Sequence, residues 1–485
     1  MSNQTPALAH GAAALQALPE AVLAMAAALL TLACAQWLAP GPGSAVLAVV
    51  LSLSLARSRL DRDRRGRLEA AVALPLVGLA ATGVGLLLRD APWLGAAAFT
   101  LGVSASVWLR QFGELARRAS RLIALPFVAV LTVPHLSGVQ RGPLPAVLVP
   151  VAVALLALAW VSLLDVLGRR LRLLPDMLPA HRPPAAPART SPGRMRPSAT
   201  TRMALQMAVA LAIAFAVGHA GFGRHWPWVV LTAFIVHSGN RGRLEVAYKS
   251  LLRLGGAAGG TLAAALLAAP AGTHGSGTAA MVLLAVFLGS WLRPLNYAWW
   301  ALCVTVALAL LQNYAGLPAT SEMTLRLAAI ATGAAIGVAV GWLVLPVPST
   351  GVLRRRMADA LAALGEALDP AITPRRPAHF VHALNAVVSL APAFRAARML
   401  GLRPRWRQPA DWIEALAGCR APALTLIEQG ATPGNVRRAV GAARQALRET
   451  ERLLPALLAL REAMEAACAQ HGVALREDAS VAQAR

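Results

Sequence analysis

The sequence predicts an all-α integral membrane protein of about twelve transmembrane helices, built as two parallel six-helix repeats with a cytoplasmic C-terminal helical region. Three observations predict it. Apolar runs long enough to cross a bilayer recur along the first 346 positions, basic residues fall on alternate loops, and a five-residue block returns 176 positions later. The 485 residues are 57% hydrophobic, with a mean hydropathy of +0.57.

A run of about 18 apolar residues spans a hydrocarbon core of roughly 30 Å. Twelve candidate spans stand at 21–38, 44–56, 68–88, 92–109, 122–136, 144–167, 203–221, 226–238, 247–269, 277–292, 297–313 and 325–346. Two of them, 44–56 and 226–238, are short, and extension into their flanks is expected. The first run follows Pro19 and Glu20, with no basic cluster before it and no dominant cleavage site after it. It therefore reads as a membrane helix and not as a signal peptide.

Charge sets the orientation. The net charge is +24, and Lys249 is the only lysine. With the N-terminus inside, the inner loops carry twenty-three basic residues, including Arg57, Arg65, Arg67, Arg110, Arg169, Arg202, Arg241, Arg253 and Arg293. The outer loops hold four: Arg89, Arg141, Arg224 and Arg326. Basic loops stay cytoplasmic, so both termini are expected there, in a bacterial inner membrane. The same loops favour anionic lipid headgroups. No soluble basic face with interleaved aromatics exists to read nucleic acid. Trp37, Trp93, Trp226, Trp228 and Trp342 fall near span ends and read mostly as interfacial anchors.

The expected organisation is an N-terminal segment 1–20, a first repeat 21–171, a Pro/Arg-rich cytoplasmic linker 172–202, a second repeat 203–346 and a cytoplasmic helical region 347–485. The linker composition cannot pack a core. Cys34, Cys303, Cys419 and Cys468 show no metal-ligand spacing and no disulfide framework.

The repeat is the strongest internal signal. Arg65-Gly66-Arg67-Leu68-Glu69 returns as Arg241-Gly242-Arg243-Leu244-Glu245, and Trp108-Leu109-Arg110 returns as Trp291-Leu292-Arg293 in the same helix order. Duplication explains both matches better than chance. Six is even, so the halves are parallel, and the path is expected at their interface. Glycine stripes at Gly255, Gly256, Gly259 and Gly260, and at Gly333, Gly337 and Gly341, predict close helix packing.

Residues 226–266 resemble the FUSC-type family: fusaric acid resistance proteins, aromatic acid exporters and, more distantly, aluminium-activated malate transporters. The resemblance rests on Trp228-Val229-Val230-Leu231-Thr232-Ala233, Gly239-Asn240-Arg241 and Arg253-Leu254-Gly255-Gly256 with Gly259. Asn296-Tyr297-Ala298 and Val304-Thr305 extend it. Gly256 stands where the family commonly has Thr, and the short linker replaces the large soluble domain of many relatives. The resemblance implies export of weak organic acids, aromatic ones in particular, without a cofactor. No Gly-x-x-x-x-Gly-Lys loop occurs in the sequence.

An organic anion needs compensating positive charge in a low-dielectric path, and an arginine fork suits a carboxylate. Arg253, Arg293 and Arg110 are the candidates, against ordinary snorkelling to headgroups. Thr232, His237, Asn240, Asn296, Thr305, Gln312 and Asn313 are polar residues in or beside second-half spans. Interhelical hydrogen bonding is their plainer reading. Trp299 and Trp300 are candidates for stacking an aromatic ring. Glu69 and Glu245 read as salt-bridge partners at helix starts. No metal site and no nucleophile–base set points to an enzyme. Two other functions remain open: an organic-anion channel, and a membrane scaffold whose tail recruits a partner. The oligomeric state is also open, a homodimer being among the options.

Overall fold

The computed structural model describes residues 6–58, 64–113, 148–174, 198–239, 242–271, 276–314, 319–372, 377–401, 408–431 and 433–470, with isolated positions between them. It is all-helical among these residues. The span expected at 122–136 and most of the linker lie outside them.

The first group of helices is α1 (Pro6–Leu38), α2 (Pro42–Ser58), α3 (Arg64–Asp90), α4 (Pro92–Leu109) and α5 (Val149–Arg170). The α1–α2 turn is tied by Gln36, whose side chain bonds both the Gly41 backbone and Ser44. Pro92 sits in the first turn of α4, where its missing N–H costs nothing. Gly95 lies against the backbone of Leu88, so α3 and α4 form a tight hairpin. A face of α3 with Leu68, Val72 and Leu76 exposed at helical spacing suits contact with lipid.

The second group is α6 (Ala199–Gly221), α7 (Trp226–His237), α8 (Arg243–Ala271), α9 (Ser276–Leu292), α10 (Tyr297–Tyr314) and α11 (Ala319–Leu343). Ser198 caps α6, its hydroxyl accepting from the Thr201 amide. The first RGRLE block opens α3, Arg243-Leu244-Glu245 of the second open α8, and the WLR blocks close α4 and α9.

Packing follows the glycines. A Cβ on Gly256 would stand 2.7 Å from the Ala298 carbonyl, and one on Gly260 would stand 2.8 Å from Thr305 Cβ. So α8 and α10 run side by side in the same direction. Gly333 lies against Val229 and Thr232, and Gly337 against Val236, which aligns α11 with α7 in the same way. Gly255, by contrast, faces open space.

Within the first group α2 packs on α1 and α5, and α3 packs on α5. Within the second, α7 packs on α6 and α11, and α8 packs on α11. The groups meet through α4 against α6 and α1 against α9. The beginning of α1 and the ends of α2, α5 and α9 gather at one face: Trp291 Nε1 donates to the Ala14 carbonyl at 2.8 Å, and Gly168 touches Leu23.

Of the two short spans, α2 extends into its flanks as expected. The other, α7, keeps to twelve residues, about 18 Å at 1.5 Å per residue. A 3-10 turn at Gly223–His225 precedes it, and Gly239 and Gly242 follow with φ of +66° and +146°. All of α7 except Trp226 and Ile235 is buried. A helix too short for the hydrocarbon core is tolerated where protein encloses it.

Eight helical stretches among the described residues are long and apolar enough to cross a membrane, and seven of them match expected spans. The eighth, Pro377–Met399, is better read as part of the C-terminal bundle. It is two helices, α13 (Pro377–Val388) and α14 (Ala391–Met399), after α12 (Ser349–Ala367). Its Phe380, Leu384, Val387 and Phe394 are buried in that bundle, and Arg395 and Arg398 bond Glu414 and Asp411. The bundle continues with α15 (Pro409–Gly418), α16 (Arg420–Glu428), α17 (Gly434–Ala446) and α18 (Thr450–Gln470). The chain is a multi-pass α-helical membrane protein with a helical bundle after its last span.

Candidate functional site

The site begins at the last turn of α2. Arg57 reaches across to the second group, where its Nη2 donates to Ser290 Oγ at 3.2 Å. Its guanidinium lies 4.0 Å from the centre of the Trp300 ring, and that of Arg293 lies 5.3 Å from the same ring. Arg57 and Arg293 are near enough to repel one another. Neither meets a carboxylate at ion-pair distance among the described residues.

Arg57, Ser290 and Arg293, but not Trp300, line a cavity of about 370 Å³ between α1, α2, α5 and the end of α9. Its charged lining is Arg57, Arg293, Arg169, Glu20 and Asp165. Arg169 is occupied by Asp165, one helical turn before it, at 2.9 Å. The remaining wall is mainly alanine and leucine. An apolar wall beside two guanidiniums suits an organic anion.

A second polar group lies deeper, within the second half. Arg253 is ten residues into α8, about 15 Å along it, and only 2% exposed. Arg326 in α11 is 3% exposed; its guanidinium lies 4.1 Å from the Trp228 ring centre and its Nη2 donates to the Thr305 carbonyl at 3.4 Å. Sequence counting put Arg326 in an outer loop, and the structure places it inside the helix bundle.

The other candidates divide. Thr232 is buried at the α7–α11 contact, its hydroxyl without a partner. His237 Nδ1 meets the Ala233 carbonyl at 3.2 Å, and its Nε2 has no partner. Thr305 spends its hydroxyl on the Ala301 carbonyl at 2.8 Å. Asn296 caps α10, accepting from the Ala298 amide at 2.9 Å. Arg110 bonds Ser120 at the end of α4, away from the cavity. Trp299 is 48% exposed and turns outward, whereas Trp300 lies under the two arginines. Asn240 lies outside the described residues, as do the side chains of Gln312 and Asn313. Glu245 pairs with Lys249 at 3.1 Å, as its salt-bridge reading expects.

Arg57, Arg326, Tyr297, Trp228 and Ser290 were not among the path or stacking candidates read from the sequence. Arg57 was counted as a loop charge and Trp228 as an interface anchor; Trp228 is in fact 8% exposed. Among the described residues no group of three or more His, Cys, Asp or Glu could hold a metal ion.

Residues 208–340 match the model of the fusaric acid resistance protein-like family, which bears out the FUSC-type resemblance. The matched region holds Thr232, Arg253, Arg293, Trp300 and Arg326. No curated protein and no solved structure matches the chain.

Proposed function

We propose that this chain, a transporter-type membrane protein by its FUSC-type region and apolar helices, exports organic acids, aromatic ones in particular, across a bacterial inner membrane. The observation that carries the reading is the pair of guanidiniums on Trp300 beside a largely apolar cavity. A carboxylate takes the fork of Arg57 or Arg293, which Trp300 helps to hold, and its ring lies against the alanine–leucine wall. The face carrying these residues is read as cytoplasmic, where an exporter loads, and a proton gradient or the anion's own gradient supplies the drive.

The twelve-helix, two-repeat reading belongs to the same proposal. The packing of α1, α2, α3 and α5 has a counterpart in that of α6, α7, α8 and α11. The contacts between halves also correspond, the fourth helix of each half lying on the first of the other.

Everted membrane vesicles carrying the full chain test the function. An imposed pH gradient should drive uptake of benzoate-type acids above that of empty vesicles. Absence of gradient-dependent uptake for every aromatic acid tried would overturn it. Planar-bilayer current that follows the anion gradient without proton movement would replace the carrier with a channel.

A further inference from the structure

We propose that the cavity where the C-terminal bundle meets the starts of α8 and α10 binds a small uncharged molecule carrying one aromatic ring. This cavity is separate from the one at Arg57, and the inference stands whether or not the chain exports organic acids.

Position comes first. The cavity lies between the first three turns of α8, the start of α10, the start of α12 and the turn from α13 into α14. A molecule there touches the membrane helices and the bundle at once. Ser349 stands in its wall, and the Oγ of that residue accepts from the Leu244 amide at 3.0 Å. An occupant therefore braces the joint that caps α8.

The lining sets the chemistry. Leu252, Leu390 and Pro392 make apolar walls, and Tyr248, Tyr297 and Phe394 bring three rings, which favours a flat aromatic ligand. The charged lining residues are Glu245 and Lys249, which pair with one another at 3.1 Å. Lys249 also donates to the Ser238 carbonyl at 3.2 Å. With these charges met, none is left to balance an ion, so the ligand is neutral. Tyr297 supplies the polar anchor: it lines the cavity, and its hydroxyl is buried with no hydrogen-bond partner among the described residues. A buried hydroxyl left unmet is costly, and a carbonyl on the ligand would meet it.

Volume sets the size. The cavity measures about 110 Å³ and is partly open. A closed apolar cavity of about 150 Å³ holds benzene. The space here takes one ring, part of it at the opening, and excludes two fused rings.

The test uses the purified full chain in non-ionic detergent near neutral pH, with benzamide and benzoate as probes of like shape and different charge. Hydrogen exchange in the peptide holding Arg243 and Leu244 reports the joint. Benzamide should slow that exchange saturably, and benzoate and 2-naphthamide should not. Tyr297→Phe keeps the ring and removes the hydroxyl, and should raise the half-saturating benzamide concentration roughly three- to tenfold. Ser389 lines the cavity and is exposed, so Ser389→Phe puts a ring in from the edge and should abolish the response. Arg57→Gln should leave it unchanged. Exchange that benzamide does not alter overturns the proposal, as does a benzamide response that Tyr297→Phe and Ser389→Phe both leave unchanged. So does an equal response to benzoate, which would show that the cavity does not select a neutral ligand.

Discussion

Removing the positive charge of Arg57 tests the proposed transport site most directly. Its guanidinium donates to Ser290 at 3.2 Å and covers Trp300 at 4.0 Å, so it is held in place before any substrate arrives. A hydrogen bond between charged groups is worth about 1.5–3 kcal/mol, which at 1.4 kcal/mol per decade is roughly a 10- to 150-fold change in affinity. Arg293 remains over the same ring in the variant and can still bind a carboxylate. Loss of Arg57 also relieves the repulsion between the two, so the lower end applies. Arg57→Gln should therefore raise KM for an aromatic acid about 10- to 30-fold in everted vesicles. Arg57→Lys keeps the charge but not the planar fork, and should recover only part of that loss. Both variants must insert at the wild-type level for the comparison to count. A KM within about twofold of wild type in Arg57→Gln would refute the assignment of this arginine to the substrate.

Three further outcomes follow from the packing and electrostatics. Gly260→Val places branched carbon against the Leu302 carbonyl and Thr305, and should cost about 1–3 kcal/mol in detergent melts, whereas Gly255→Ala, facing open space, should cost nothing. Melting of both variants at or above wild type would count against the α8–α10 contact. Burial raises the Glu414 carboxyl, but hydrogen bonds from Arg398 and Arg395 outweigh it and hold the group below the usual carboxylate range. A lowered folded value gives stability that is present above the unfolded value, about 4.3, and lost as pH falls through the folded one. Allowing for its partial exposure, Glu414→Gln should cost about 0.5–1 kcal/mol near pH 7 and progressively less below pH 4; a cost independent of pH would refute the ion-pair account. Burial pushes the Cys419 thiol up to about 12, so at pH 8 it should resist maleimide in the native chain and react on unfolding. Native labelling at the rate of an exposed thiol would show that the C-terminal bundle opens there.

Local pattern made much of the architecture legible. The RGRLE and WLR blocks mark helix boundaries because arginines at span ends and, at Glu245, an acid in a first turn are local preferences. The glycine stripes foretold close packing because a missing side chain has the same consequence wherever two helices meet. Depth and partnership were not legible. Position 326 opens an apolar run, and only the enclosure of α11 by α7, α8 and α10 makes it interior. Arg57 looked like one of twenty-three inner charges; its contact with Ser290 joins residues 233 positions apart, which no local window sees. Trp228 lies at the start of a span like any interface anchor, yet α7 is so short and so enclosed that its beginning is already inside the bundle.

The C-terminal bundle is joined to the membrane helices by more than a peptide bond. The first amides of a helix have no partners within it. At the start of α8 they are met from the segment that leads into the bundle: Arg243 N donates to the Val347 carbonyl at 3.2 Å, and Leu244 N to Ser349 Oγ at 3.0 Å. Gly242, with φ of +146°, lets the chain come against Ser349, where a side chain would collide. The helix capped in this way is the one that carries Arg253. Deleting the bundle would therefore uncap α8 as well as remove any surface that recruits a partner. Loss of function on such a deletion does not separate a scaffold from a transporter, whereas a change confined to Arg57 does.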